Sequence, residues 1–270
     1  MKKYILIEYV NCLKSRKFKI IFFFLMILVI SPFVYSCYKF YGNNLSSIRA
    51  ASDMSIIQGI ASSFARSTLV LLLPLLSAVI YSDSYSVEYN NGVFKNIITK
   101  IPKKQYLISK VLVNISVVFV TFFIVLSINE LLTLLAFPLE GYDNNFSLPS
   151  YIVMIRENWF LDNIRSYNPY LYDWIIIFNI SLSAALISTI TLIICFLNKY
   201  KWLINSFIVF ISYISWMIIT EILKIKNFSI TSYLDFPAIG NIYSLAFLIF
   251  ILIALIITIF LYSIKNKNDI

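Results

Sequence analysis

The chain has 270 residues, 60% hydrophobic and only 13% charged, with a net charge of +9 and no histidine. A mean hydropathy of +0.84 excludes an ordinary soluble domain and points to an integral membrane protein. The missing histidines remove the commonest metal ligand and general base. Catalytic, cofactor-binding and metal-binding residues are therefore not expected on this chain, nor is an enzymatic activity.

The first element, residues 1–19, reads as an interfacial amino-terminal helix. Over residues 4–15, Ile5, Leu6, Tyr9, Val10, Cys12 and Leu13 share one arc at helical spacing, with Glu8, Asn11, Lys14 and Ser15 outside it and Ile7 as the exception. An apolar run follows. It is too long for a signal peptide and lacks a small-residue cleavage site, so it reads as a retained span. Six apolar segments, near 20–40, 64–83, 107–137, 174–197, 202–223 and 242–264, have the length of about 20 residues that a helix needs to cross a bilayer. The third exceeds that length and should tilt or project beyond the interface. The fold expected is a single all-α membrane domain over residues 1–270. Three cysteines at 12, 37 and 195 have no paired spacing, which indicates neither a disulfide framework nor a metal site.

Basic residues near span ends stay on the cytoplasmic side. With the amino terminus inside, fifteen of the 22 Lys and Arg fall in inner segments, and nine of the 13 Asp and Glu fall in outer loops or outer halves of spans. Both termini are then cytoplasmic. The positive charge is accounted for by this asymmetry and by attraction to anionic lipid head groups, which leaves no reason to invoke nucleic acid.

Between the second and third spans lies an inner loop, residues 84–106, containing "YSVEYNNGVFKNIITKIPKKQY" from Tyr85 to Tyr106. On a helix over 93–101, Val93, Phe94, Ile97, Ile98 and Ile101 fall within an arc of about 140°, and Lys95, Asn96, Thr99 and Lys100 occupy the rest. Gly92 suits a break in backbone direction ahead of this helix, and Pro102 marks its end. Two readings fit such a helix. It is an interfacial anchor with its lysines at the head groups, or a docking element for a cytoplasmic protein, anchored by its apolar stripe.

An amphipathic amino-terminal helix, six spans, and an inner loop running Glu88, Tyr89, Asn90, Asn91, Gly92 into an amphipathic helix and a basic turn together resemble the permease subunits of ATP-binding-cassette transporters of the type-2 export class. In that family the loop carries a Glu, then small or polar residues, then Gly-Thr, and ends near a Lys. Glu88, Gly92, Lys103 or Lys104, and Lys110 match by position, whereas Val93 stands where threonine is usual. The likeness covers the whole chain in span count but only about 25 residues in motif. It implies that residues 84–106 form a coupling helix contacting an ATPase subunit, with Glu88, Gly92, Phe94, Ile97, Ile98, Ile101 and Lys103 as docking residues. It further implies a second permease, identical or homologous, and a cargo such as an amphipathic peptide, an antibiotic or a lipid-like molecule, exported across the cytoplasmic membrane of a bacterium, often for resistance. The chain has no GxxxxGK[ST] and only five glycines, at 42, 59, 92, 141 and 240, so ATP and its Mg belong to the partner ATPase.

Within the spans, Glu130 in "LSINELLTLLAF" is the outstanding ionisable residue, and Arg66 near the outer start of span two is its expected partner. A substrate-path or gating role and a purely structural or solvated role both fit. Pro74 in "LVLLLPLLSA" should kink span two, as a hinge or as simple packing. Glu221 is expected to snorkel to the interface. The small residues of "SLSAALIST", 181–189, favour close helix packing over a pore lining. In the outer loop 138–173, "YIVMIRENWFLDNI" reads as a short interfacial helix. Two other functions stay open: a secondary transporter driven by an ion gradient with Glu130 as the proton site, and a non-transporting membrane anchor or immunity protein.

Overall fold

In the computed structural model residues 2–44, 48–139, 155–156, 158–197 and 201–265 are described, and their regular structure is helical throughout. The helices are α1 (Lys2–Lys14), α2 (Arg16–Phe40), α3 (Ala51–Met54), α4 (Ser63–Tyr81), α5 (Ser84–Asn90), α6 (Val93–Ile98), α7 (Lys103–Ala136), α8 (Asp162–Tyr167), α9 (Pro169–Leu197), α10 (Trp202–Ile222), α11 (Thr231–Leu234) and α12 (Ile242–Lys265). Six of them, α2, α4, α7, α9, α10 and α12, are long and apolar enough to cross a membrane. They coincide with the six apolar segments expected, and the third, α7, is the longest at 34 residues.

The spans close around α9. Most of its apolar window, 78%, is buried, against 6% for α12, which lies at the edge of the bundle. Small residues account for that depth: Ser181, Ser183, Ala184, Ala185, Ser188 and Thr189 are all buried, so neighbouring backbones approach closely. Asn114 of α7 donates to Thr189 Oγ1 at 3.2 Å, while the Ser188 hydroxyl lies 3.1 Å from Asn114 Oδ1 and 3.0 Å from the Ser77 carbonyl of α4. These bonds tie three spans together where no water is available to satisfy polar groups.

The helix α1 and the last turn of α12 lie at the same end of the bundle. There, Lys17 at the start of α2 pairs with Asp83 just past α4 and lies over the ring of Trp202, 4.9 Å from its centroid. Phe196 at the end of α9 meets Tyr85 of α5, and Tyr4 of α1 and Ile264 of α12 pack on the same cluster. This is the lysine-rich end.

α1 lies against this end with a different face from the one its apolar arc suggests. Glu8 and Cys12 are buried, Ile5 and Tyr9 are half-buried, and Leu6, Ile7, Val10 and Leu13 are turned outward. The correction has a simple cause. The outward apolar residues suit lipid, and the inward face has a cation waiting for Glu8.

At the opposite end the link between α2 and α4 turns back into the protein. Residues 50–58 are almost entirely buried, and their backbone is satisfied partly by other backbone groups and partly by side chains. Asn129 of α7 accepts from the Ile56 amide at 2.8 Å and donates to the Val29 carbonyl of α2, also at 2.8 Å. Non-helical backbone persists at this depth only where such partners exist. The segment after α10 folds over the same end, with the Phe160 amide donating to the Ala238 carbonyl and the Gly240 amide to the Asn158 carbonyl. Of the interfacial helix expected over residues 151–164 in the outer loop, residues 151–154 and 157 lie outside the described residues, and α8 starts only at Asp162.

Candidate functional site

The loop between the second and third spans holds two short helices, not one. α5 continues just past α4, and Gly92 at φ 73° reverses the chain into α6. A left-handed φ suits glycine and would strain a residue bearing a Cβ. α6 ends at Ile98, three residues earlier than expected, where Lys100 and Ile101 both turn back to the Ile97 carbonyl. Pro102 then caps the start of α7.

One buried cation holds this loop in place. Lys110, with no exposed side-chain surface, donates to Glu88 Oε1 of α5 at 2.5 Å and to Glu8 Oε2 of α1 at 2.8 Å. Tyr106 donates to the other Glu88 oxygen at 2.6 Å, Tyr81 donates to Glu8, and the Lys110 ammonium lies 5.4 and 5.7 Å from the ring centroids of Tyr81 and Tyr106. Two charges fully taken out of water, Lys110 and Glu8, beside a half-buried Glu88, are tolerated only when each is paired and hydrogen-bonded, as here. Glu88, Gly92 and Lys110, singled out by the family resemblance, thus belong to one structural unit, to which the structure adds Glu8.

Phe94 belongs to that unit's core. It is 1% exposed and meets Tyr85, Tyr89 and Tyr106 with ring centroids 5.4–5.8 Å apart. Ile97 and Ile98 pack half-buried on the same cluster, Ile101 is half-buried, and Lys103 is half-buried at the start of α7. The apolar stripe expected to anchor a partner is therefore turned into the protein, except for Val93. The outward surface consists of Val93, Lys95, Asn96, Thr99, Lys100 and Lys104.

The expected Arg66–Glu130 ion pair does not form. Arg66 Nε donates to Asp235 at 2.7 Å, and its other nitrogens reach the carbonyls of Ile56, Ile57, Gly59 and Phe236 at 2.9–3.3 Å. Five carbonyl and carboxylate acceptors gathered by the two folded-over segments compete better for the guanidinium fork than one carboxylate further inside. Arg66 clamps this end of the bundle. Glu130 is left 1% exposed, with neither oxygen hydrogen-bonded among the described residues. Asp173 of α9, fully buried, interacts with it electrostatically and accepts from Gln58 at 2.9 Å and Ser55 at 3.2 Å. Sequence reading passed over Asp173 as a residue of the outer region. Its position four residues after Pro169, inside the first turns of a span, was the available signal.

Pro74 interrupts α4, and the carbonyl it leaves free, Val70, accepts from Tyr213 of α10 at 3.0 Å. Glu221 is at the surface, paired with Lys226 at 3.1 Å. Beside Tyr213, an apolar recess of about 310 Å³ lies among α9, α10 and α12, lined by Ile187, Ile190, Val209, Trp216, Leu248 and Leu252 among others. No protein-family model, curated protein or solved structure matches this chain.

Proposed function

We propose that the chain is the membrane-spanning permease subunit of an ATP-driven exporter, with ATP and Mg bound by a separate ATP-binding-cassette subunit docked on residues 84–106. The observation that carries this reading is the Glu8–Lys110–Glu88 ion triad. It welds the amino-terminal helix, the loop and the third span into one body, as transmission of a push from outside the membrane requires. A loop that merely rested on lipid would need no buried charges to hold it.

The docking surface under this reading is the polar face of Lys95, Asn96, Thr99, Lys100 and Lys104, complementary to an acidic partner surface, while Phe94, Ile97 and Ile98 stiffen it from behind. The lysine-rich end then faces the cytoplasm of a bacterial cell and both termini lie there. A second permease completes the pathway. The apolar recess among α9, α10 and α12 supports a cargo with a large apolar part, an amphipathic peptide, antibiotic or lipid-like molecule.

The test is mild-detergent purification of the tagged chain from its own host, followed by mass spectrometry. A stoichiometric soluble protein with a phosphate-binding loop, lost in Lys95→Glu/Lys100→Glu, is the expected result. A chain that comes down alone under conditions preserving transporter complexes overturns the reading.

The unpartnered Glu130 favours a second reading, a carrier driven by a proton gradient. It requires transport that persists without any ATPase and is lost in Glu130→Gln.

A further inference from the structure

We propose that Glu130 and Asp173 form a proton-binding site at the end of the bundle away from the lysine-rich end, holding one proton between them while this end is closed. The proposal rests on neither driving mode.

Several observations converge on it. Glu130 lies in α7, Asp173 in α9, and the buried segment 50–58 closes over both. Both side chains are out of contact with water, and a carboxylate so placed keeps its charge only with a cation or several donors beside it. Asp173 has two neutral donors, Ser55 and Gln58. Glu130 has none. The arginine nearest in expectation, Arg66, is committed to Asp235 and four carbonyls. Around the pair, Asp53 from α3 and Tyr170 from α9 both lie in the field of the carboxylates, and Asn129 and Thr133 are on the same helix as Glu130. Asn129 is spent on the Ile56 amide and the Val29 carbonyl, and Thr133 donates to the Glu130 carbonyl.

Like charges so enclosed do not both stay ionised. The described residues contain no group of three or more acidic or thiol side chains placed to hold a metal ion, and a proton needs no ligand cage. A proton on either carboxyl suffices. When α7 and α9 part at this end, or segment 50–58 lifts, water reaches both groups, the proton leaves, and the two negative charges repel. Closure of this end and protonation are therefore linked, and an alkaline exterior favours the open form.

The test uses the full-length chain in lipid nanodiscs and dicyclohexylcarbodiimide, which modifies protonated carboxyls in apolar surroundings, with the adduct located by peptide mass. Glu130 is expected to be labelled at acidic pH and the label to be lost as the pH rises. Asp173→Asn removes the neighbouring charge, so its label should disappear at lower pH than in wild type. Glu130→Gln should show no adduct on that peptide. Absence of labelling at every pH, with the denatured chain labelling normally, overturns the proposal. So does an unchanged pH profile in Asp173→Asn. If a variant fails to fold, the wild-type chain compared in sodium and choline buffers still decides: protection by sodium without pH dependence marks a metal-cation site and rejects the proton.

Discussion

Lys110 and Glu8 are 102 residues apart in the chain and 2.8 Å apart in the fold, and neither reaches solvent. With Glu88 they make a triad in which one cation serves two carboxylates, so that loss of Lys110 leaves both without a counter-charge. Lys110→Met strands two buried carboxylates and should destabilise the chain by about 3–5 kcal/mol. The triple variant Lys110→Met/Glu8→Gln/Glu88→Gln removes all three charges and should recover most of that loss. Thermal unfolding midpoints of the detergent-solubilised chain, followed by size-exclusion chromatography, compare the two. Equal midpoints would show that the triad contributes packing alone.

Phe94 and Lys95 are neighbours with opposite duties. Phe94→Ala empties the centre of the aromatic cluster under the loop and should cost about 3–5 kcal/mol, seen as protease cleavage between residues 84 and 102. Lys95→Glu/Lys100→Glu changes only exposed side chains and should leave stability within about 0.5 kcal/mol of wild type. Under the exporter reading that second variant alone loses the partner while keeping the fold. A cleavage-sensitive loop in the lysine variant, or a resistant one in Phe94→Ala, would reverse the two assignments.

The spans were legible because a helix crossing a bilayer has to be apolar over its whole length, and that constraint is local. Gly92 and Pro102 were legible for the same reason, as punctuation that acts on its own backbone. Arg66 was not. Its partner Asp235 lies 169 residues away in a segment that reads as an ordinary loop, and only the fold shows that residues 50–59 offer three carbonyls beside it. The buried segment itself, "AASDMSIIQ", has the composition of a surface connection, and Asn129 of a distant span supplies the partner that lets it go inside. Glu8 and Phe94 misled by periodicity: in lipid the apolar face of a helix has two possible destinations, and spacing does not choose between them.

Tyr213 and Pro74 form a compensated pair. Tyr213→Phe leaves the Val70 carbonyl without a donor and should lower stability by on the order of 1 kcal/mol. Pro74→Ala gives that carbonyl its helical amide back, so in the Pro74→Ala background the same tyrosine substitution should cost distinctly less. A double-mutant cycle on unfolding midpoints reads the coupling, and additive effects would mean that the tyrosine acts through ring packing.

Gly240 stands against the ring of Tyr233 at φ 134°, and a Cβ there would collide with the phenolic oxygen and sit 2.5 Å from Cζ. Tyr233 is not free to retreat, being fully buried and donating to the Asn227 carbonyl at 2.8 Å. Gly240→Ala combines backbone strain with a clash and should cost at least about 2 kcal/mol. Tyr233→Phe added to it relieves only the oxygen contact, so recovery should be partial. Proteolysis between residues 224 and 241 is the readout, and a Gly240→Ala chain as resistant as wild type would contradict the packing described.

Cys12 offers a pH test outside the spans. It is buried on the inner face of α1, with its Sγ directed at the Ile80 carbonyl, and burial, reinforced by the charges of Asp83 and Glu8, pushes its thiol up to about 12. A raised acid in the folded state means that the folded chain keeps a proton the unfolded chain gives up. Its stabilising effect is whole below the unfolded value of about 8.5 and is lost as pH rises from there toward about 12. Two outcomes are expected: maleimide should fail to modify Cys12 at about pH 8 until denaturant is added, and Cys12→Ala should flatten the fall in unfolding midpoint above about pH 9. Rapid modification of Cys12 in the folded chain would mean that α1 leaves the bundle readily, and the brace between Glu8 and Lys110 would then be too weak to transmit anything to the spans.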